Sequence, residues 1–254
     1  MLRPPSIPGL FITGTDTDVG KTVITGAIGN WFHRRTARVG VCKPVATGCV
    51  RQREGLVSED AEFLASTCHA RHPLDLICPQ RYAEPLAPAI AAERARTPIE
   101  WPVIDNALQF MARDSDLMLV EGAGGALVPM DERTFVLDMI RWLGLPTVVV
   151  ARAGLGTINH TLLTVAMLRA AGVDVAGVVI NRYNAASPSV AEEINPGAIE
   201  RWGGVPVLCV VPETPVRGPV IPVDVAAAID LVDWARFARM GRPITGPIGS
   251  LRLR

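Results

Sequence analysis

A chain of 254 residues, 49% of them hydrophobic, suits one sizeable α/β domain with a buried core. Its 25 basic residues balance 25 acidic ones, so no net field draws it towards nucleic acid or an anionic membrane. The five cysteines are odd in number and form no C-x-x-C pair, which speaks against a disulfide framework and for reduced thiols in a cytoplasmic compartment.

Met1–Pro5 lacks the apolar stretch of a signal peptide, and no apolar run approaches the roughly 20 residues that span a bilayer. A soluble protein is expected. Leu10–Thr13 reads as a strand that runs into the glycine-bearing tract Gly14–Thr22. After Lys21 the apolar positions Val23, Ile24, Ala27, Ile28 and Trp31 recur at helical spacing. Arg38–Pro44 is a second strand, and Ser58 opens another helix. The segment Asp116–Gly125 is the next strand, breaking into a glycine turn, and Pro146–Ala151 follows as a buried one. Thr157–Ala171 is a helix with Leu162, Leu163, Ala166, Met167 and Ala170 on one face. Val175–Asn181 and Val205–Val211 complete the strands, separated by a helix near Val190–Arg201. A last helix is expected over Val223–Arg239, with Trp234, Phe237 and Met240 as a core stripe.

Short β-branched runs separated by helical stretches predict a three-layer α/β fold. Its sheet is mostly parallel, buried, of about seven strands, with helices on both faces. Residues 1–240 form one domain, and Gly241–Arg254, with no acidic residue, reads as a solvated tail.

The tract Gly14–Thr22 lies between a strand and a helix, the context of a phosphate loop and so of the P-loop NTPase fold. Amides at a helix N-terminus point at an anion, Lys21 reaches the β- and γ-phosphates of ATP, and the Thr22 hydroxyl takes Mg²⁺. Five residues separate Gly14 from Gly20 where the general pattern has four. Glu121 ends a buried strand, where a carboxylate either caps a neighbouring loop or faces a cation; the phosphate loop nearby favours the cation. Lys43 either snorkels to solvent or neutralises a transferring phosphoryl group. Asp60 is readable as an ordinary first-turn acid. The bare amides of Gly156–Asn159 suit a substrate carboxylate, with His160 read as a cap or core residue. Cys68, His69, His72 and Cys78 have no common zinc spacing and are read as packing.

Four tracts together resemble the ATP-dependent dethiobiotin synthetase family: Gly14–Thr22 including its five-residue spacer, Lys43–Gly48, Val120–Gly125 and Gly156–His160. The resemblance implies that 7,8-diaminononanoate, CO₂ and ATP are converted to dethiobiotin, ADP and phosphate. It implies Lys43 and Lys21 as the catalytic pair, and Thr22, Asp60 and Glu121 as Mg²⁺ ligands. Asp18, Val19, Gly20, Lys21, Thr22 and Val23 line the nucleotide, as do Glu121, Gly122, Ala123 and Gly124. Asn181, Arg182, Pro212, Glu213 and Thr214 surround the base. Thr17, Thr47, Gly156, Thr157, Ile158 and Asn159 contact the diamino acid, the last four across a homodimer interface. The partners are small molecules, without nucleic acid or membrane. A nucleotide-switch ATPase of the partition or septum type shares the fold, but its signature Lys position is Asp16 here.

Overall fold

The computed structural model describes residues 1–53 and 55–246. Strand β1 (Pro8–Gly14) feeds the phosphate loop and α1 (Lys21–His33), and the chain returns through β2 (Val39–Cys42). Pro44 cannot donate to a ladder, so β2 stops before it. An excursion follows: β3 (Val45–Ala46), the hairpin β4 (Val50–Gln52) and β5 (Gly55–Val57), α2 (Glu59–Thr67), α3 (Leu74–Ile77), β6 (Gln80–Arg81), α4 (Pro88–Ala95) and α5 (Trp101–Met111). The main sheet resumes with β7 (Leu117–Gly125), α6 (Val136–Leu143), β8 (Thr147–Arg152), α7 (Thr157–Ala170), β9 (Val175–Tyr183), α8 (Val190–Gly203) and β10 (Val207–Pro212). After α9 (Val223–Asp230) comes a 3₁₀ turn, Trp234–Arg236, and β11 (Arg239–Met240).

The sheet order is β10-β9-β8-β1-β7-β2, all parallel, with β11 antiparallel to β1. Side chains alternate across β1: Phe11 enters one core with α5, α6 and α7, while Leu10 and Ile12 enter the other with α1, α2 and α9. All three are fully buried. The chain departs from β1 on both sides of the sheet, so its loops part at the carboxyl ends of the central strands and leave a crevice there.

Two expectations change. The last helix ends at Asp230, nine residues short of the expected Arg239. Trp234 is fully buried and its indole N–H donates to the Ile229 carbonyl at 2.9 Å, a bond that folds the chain back on the helix end. Met240 then lies half-exposed on β11, which occupies the slot beside Gly9 that β8 leaves free below Phe11. On α7 the residues Leu162, Leu163, Ala166, Met167 and Ala170 share one side of the helix as expected, and the fully buried side is that of Thr157, Thr161, Val165 and Leu168. Finally, Gly241–Gly246 is docked: Arg242 N–H donates to Gly144 O at 3.0 Å, Ile244 N–H to Arg141 O at 2.9 Å, and Ile244 packs on the core. The rest of the expected tail, 247–254, lies outside the described residues. Among the described residues no helix is long and apolar enough to cross a membrane.

Candidate active site

The phosphate loop is held by its own backbone. Thr15 N–H donates to Val150 O of β8 at 2.9 Å, fixing the loop's entry. Asp18 and Gly20 both have left-handed φ, 58° and 91°, on either side of buried Val19. Such alternation curls consecutive amides into a concave anion nest at the N-terminus of α1. A Cβ on Gly20 would lie 2.1 Å from Asn181 Nδ2, so only glycine fits. Asn181 in turn donates to Val19 O at 2.9 Å and joins the loop to the end of β9.

Lys21, at the start of α1, and Lys43, just after β2, approach the same space. Lys21 is buried and its ammonium donates to Asp16 O at 3.0 Å. Burial pulls its pKa below the ordinary value, with the Glu121 charge opposing and the Lys43 charge adding to the fall. Lys43, at the end of β2, donates to Glu121 Oε1 at 2.8 Å and to Asp60 Oδ2. Burial alone would lower its pKa, but the Glu121 and Asp60 charges outweigh it and raise it well above the usual range. Asp60, on the first turn of α2 where Ser58 caps the helix, is drawn below the usual carboxylate range: burial acts against ionisation, and the Lys43 charge overcomes it. Thr22 Oγ1 also donates to Glu121 Oε1, at 2.8 Å, while Glu121 Oε2 is buried with no partner.

These groups line one cleft of 760 Å³. Its phosphate side holds Thr17, Asp18, Gly20, Lys21, Thr22 and Val23. Lys43, Thr47, Asp60 and Glu121 form the floor, Ala123 and Gly124 one wall, and Arg182 a rim. A second cavity of 580 Å³ adjoins it through Gly20, Val23 and Arg182, and is lined by Asn181, Pro212, Glu213 and Thr214. Two expected contacts are not lining residues. Val19 packs its side chain into the core, and Gly122 is wedged against Val136 and Phe11. Gly156, Thr157, Ile158 and Asn159 also lie off both cavities, at the start of α7; Thr157 is buried with its hydroxyl 3.4 Å from that of Thr161. The loop before them is pinned by Asn195 of α8, whose amide donates to Ala153 O at 2.7 Å and Gly154 O at 3.2 Å.

Sequence reasoning passed over one whole wall, Pro85–Pro88, together with Val45, Ala46 and Val128. Its only signal is the proline pair flanking a short apolar run. What places it is the pairing of β3 with β6, plus Gly48 N–H to Glu84 O at 3.2 Å and Cys49 N–H to Tyr82 O at 2.9 Å. In the second cavity Pro215, Val216 and Val225 were equally silent.

A family profile described as AAA domain matches residues 8–219. The ATP-dependent dethiobiotin synthetase BioD of Thermodesulfovibrio yellowstonii is 37% identical over 211 residues, covering 80% of this chain and 88% of that protein. Those of Bacillus cereus and of an Anaeromyxobacter species are each 41% identical, over 80% and 77% of this chain and 83% and 86% of theirs. The chain belongs to the ATP-dependent dethiobiotin synthetase family. The phosphate loop, the Lys43 loop and the Glu121 tract meet in the cleft. A solved ParA family ATPase of Chlorobium tepidum superposes with a TM-score of 0.54 at 11% identity, over 91% of this chain and 98% of that one, which shows the shared fold. In this chain the loop carries Asp16, and Lys43 lies between two carboxylates.

Proposed function

We propose that this chain carboxylates 7,8-diaminononanoate and closes its ureido ring at the expense of ATP. The observation that carries the reading is the meeting, in one cleft, of the phosphate nest with Lys43, Asp60 and Glu121, beside Thr47. One substrate amine bonds to the carbon of CO₂ and loses a proton, giving a carbamate. A carbamate oxygen attacks the γ-phosphorus and ADP leaves. The second amine attacks the carbonyl carbon of that mixed anhydride, phosphate leaves, and the ring closes. No protein nucleophile is required, so the chain acts by positioning and by neutralising charge.

The nest holds the phosphates, and Lys21 and Lys43 counter the charge on the transferring group. Asn181, Arg182 and Pro212–Thr214 face the base from the second cavity. Thr22, Asp60 and Glu121 offer only hard oxygens on one side of the cleft, a donor set that fits Mg²⁺. Among the described residues no three His, Cys, Asp or Glu side chains converge into a complete metal cage. Mg²⁺ that also binds nucleotide phosphates needs only one or two protein carboxylates. When bound, it neutralises charge on the β- and γ-phosphate oxygens.

The diamino acid lies towards Thr17, Thr47 and the Pro85–Pro88 wall, and its carboxylate is received by Gly156–Asn159 of a second copy. Support for that homodimer comes from apolar side chains turned outward on α7, on α8 and in the loop before α7: Leu163 is 62% exposed, Trp202 63% and Leu155 88%. Turnover measured as ADP release from Mg-ATP and bicarbonate should require 7,8-diaminononanoate and collapse in Lys43→Ala. Diamine-independent hydrolysis would discard the reading.

A further inference from the structure

Glu121 is fully buried, and its Oε2 has neither a partner nor exposed surface. The cleft-lining groups meet this carboxylate through its other oxygen, Oε1. That one oxygen accepts from both the Thr22 hydroxyl and the Lys43 ammonium, each at 2.8 Å. The same ammonium donates to Asp60 Oδ2. Lys43 thus bridges the two carboxylates offered to the divalent cation in the reading above, on which this inference rests.

An ammonium and a divalent cation repel strongly when both must sit on one buried oxygen, because little water screens them. Lys21 already brings a second ammonium to the cleft, so the pocket has no spare negative charge to hold all three cations. The backbone of Lys43 is fixed by its N–H bond to Ile77 O at 2.7 Å, and β2 ends just before it. Only its unbranched side chain is free to move, and the cavity beside Thr47 is the open space within its reach.

We propose that Lys43 is the resident counter-ion of Glu121 and Asp60, and that a divalent cation displaces its ammonium into the cleft. Loading of the metal then delivers Lys43 to the transferring group. Before loading, the ammonium neutralises buried Glu121 and half-exposed Asp60 and blocks the cation's seat.

Mn²⁺ is the probe, with its free EPR signal titrated against nucleotide-free protein. Lys43→Met removes the competitor and should tighten Mn²⁺ binding by at least about tenfold. Glu121→Gln should weaken it in the same titration. Unchanged or weaker binding in Lys43→Met overturns the competition. Because that variant strips a buried pair, unmodified protein supplies a second reading. Acylation of Lys43, followed by peptide mass spectrometry, should rise several-fold at saturating Mn²⁺ while the exposed N-terminus is unaffected. A Lys43 equally protected with and without Mn²⁺ also overturns it. If wild-type protein takes up no Mn²⁺ even with saturating ATP, the metal-ligand reading itself has failed and the competition with it.

Discussion

Gly20 carries two separate constraints, and a single methyl group tests both. In Gly20→Ala the backbone must stay at φ 91°, a left-handed conformation that costs a non-glycine residue about 1–2 kcal/mol. The new Cβ would also stand 2.1 Å from Asn181 Nδ2, which must therefore leave. Its departure breaks the 2.9 Å bond to Val19 O and strands a buried carbonyl, costing about 1–3 kcal/mol more. The sum is about 2–5 kcal/mol, which in a domain of this size lowers Tm by very roughly 10 °C. Gly218 is the internal control, because its φ is 66° but a Cβ there meets nothing within 4 Å. Gly218→Ala should cost only the conformational part, about 1–2 kcal/mol. The assay is urea denaturation of both variants beside the parent, with ATP affinity in parallel. ATP binding should weaken in Gly20→Ala alone, since only there does the anion nest shift. Equal destabilisation of the two variants, with equal ATP affinity, would refute the coupling of Asn181 to the loop.

Three further outcomes follow from the same structure. Burial pushes the thiols of Cys68, Cys78 and Cys209 up to about 12, and all five cysteines are buried and free. Ellman's reagent at pH 8 should find no fast-reacting thiol in the native protein and all five in denaturant; a prompt native thiol would contradict the packing. Arg38 holds Asp116 down to about 2 through its side chain and its backbone N–H. A carboxylate depressed in the folded state lends stability that is complete above its unfolded pKa, about 4, and fades as pH falls towards 2. The stability gap between parent and Arg38→Gln should therefore narrow over that interval; a gap constant down to pH 2 would exclude the pair as its source. On the outward α7–α8 face, Leu163→Glu combined with Ile194→Lys should halve the mass seen by light scattering, whereas an unchanged dimer would place the interface elsewhere.

The apolar stripe on α7 shows how far periodicity reaches. Leu162, Leu163 and Ala166 do fall on one face of a helix, but helical spacing reports only that a face is apolar. It does not say whether the cover is this chain's own sheet or a second copy, and the sheet took the Thr161–Val165–Leu168 face. Helices α5 and α6 went unread for a related reason. They lie in or beyond the long excursion after β2, where no chemical motif marks their boundaries, although Ile104, Leu108 and Met111 recur at helical spacing and are fully buried. The C-terminal segment misled in the opposite direction: Trp234 looks helical in spacing, yet its buried indole N–H needed an acceptor and found it at the helix end.

By itself the sequence determined the chemistry and the order of its parts. Strands buried on both faces must be continuous apolar runs, and a phosphate loop must sit between a strand and a helix, so both are written locally. Lys43 and Glu121 were legible because a charged residue at the end of an apolar strand has few structural reasons to be there, and Lys21 because the phosphate loop names it. Asp60 read locally as a first-turn acid and came only with the family resemblance. Only the tertiary structure decided that Lys43 bridges Asp60 and Glu121, that Asn181 seals Gly20, and that Pro85–Pro88 closes the cleft. Those contacts join residues far apart in the chain through sheet pairing and packing. Bland side chains such as Pro85 and Leu86 acquire a role there from position alone, which no local pattern encodes.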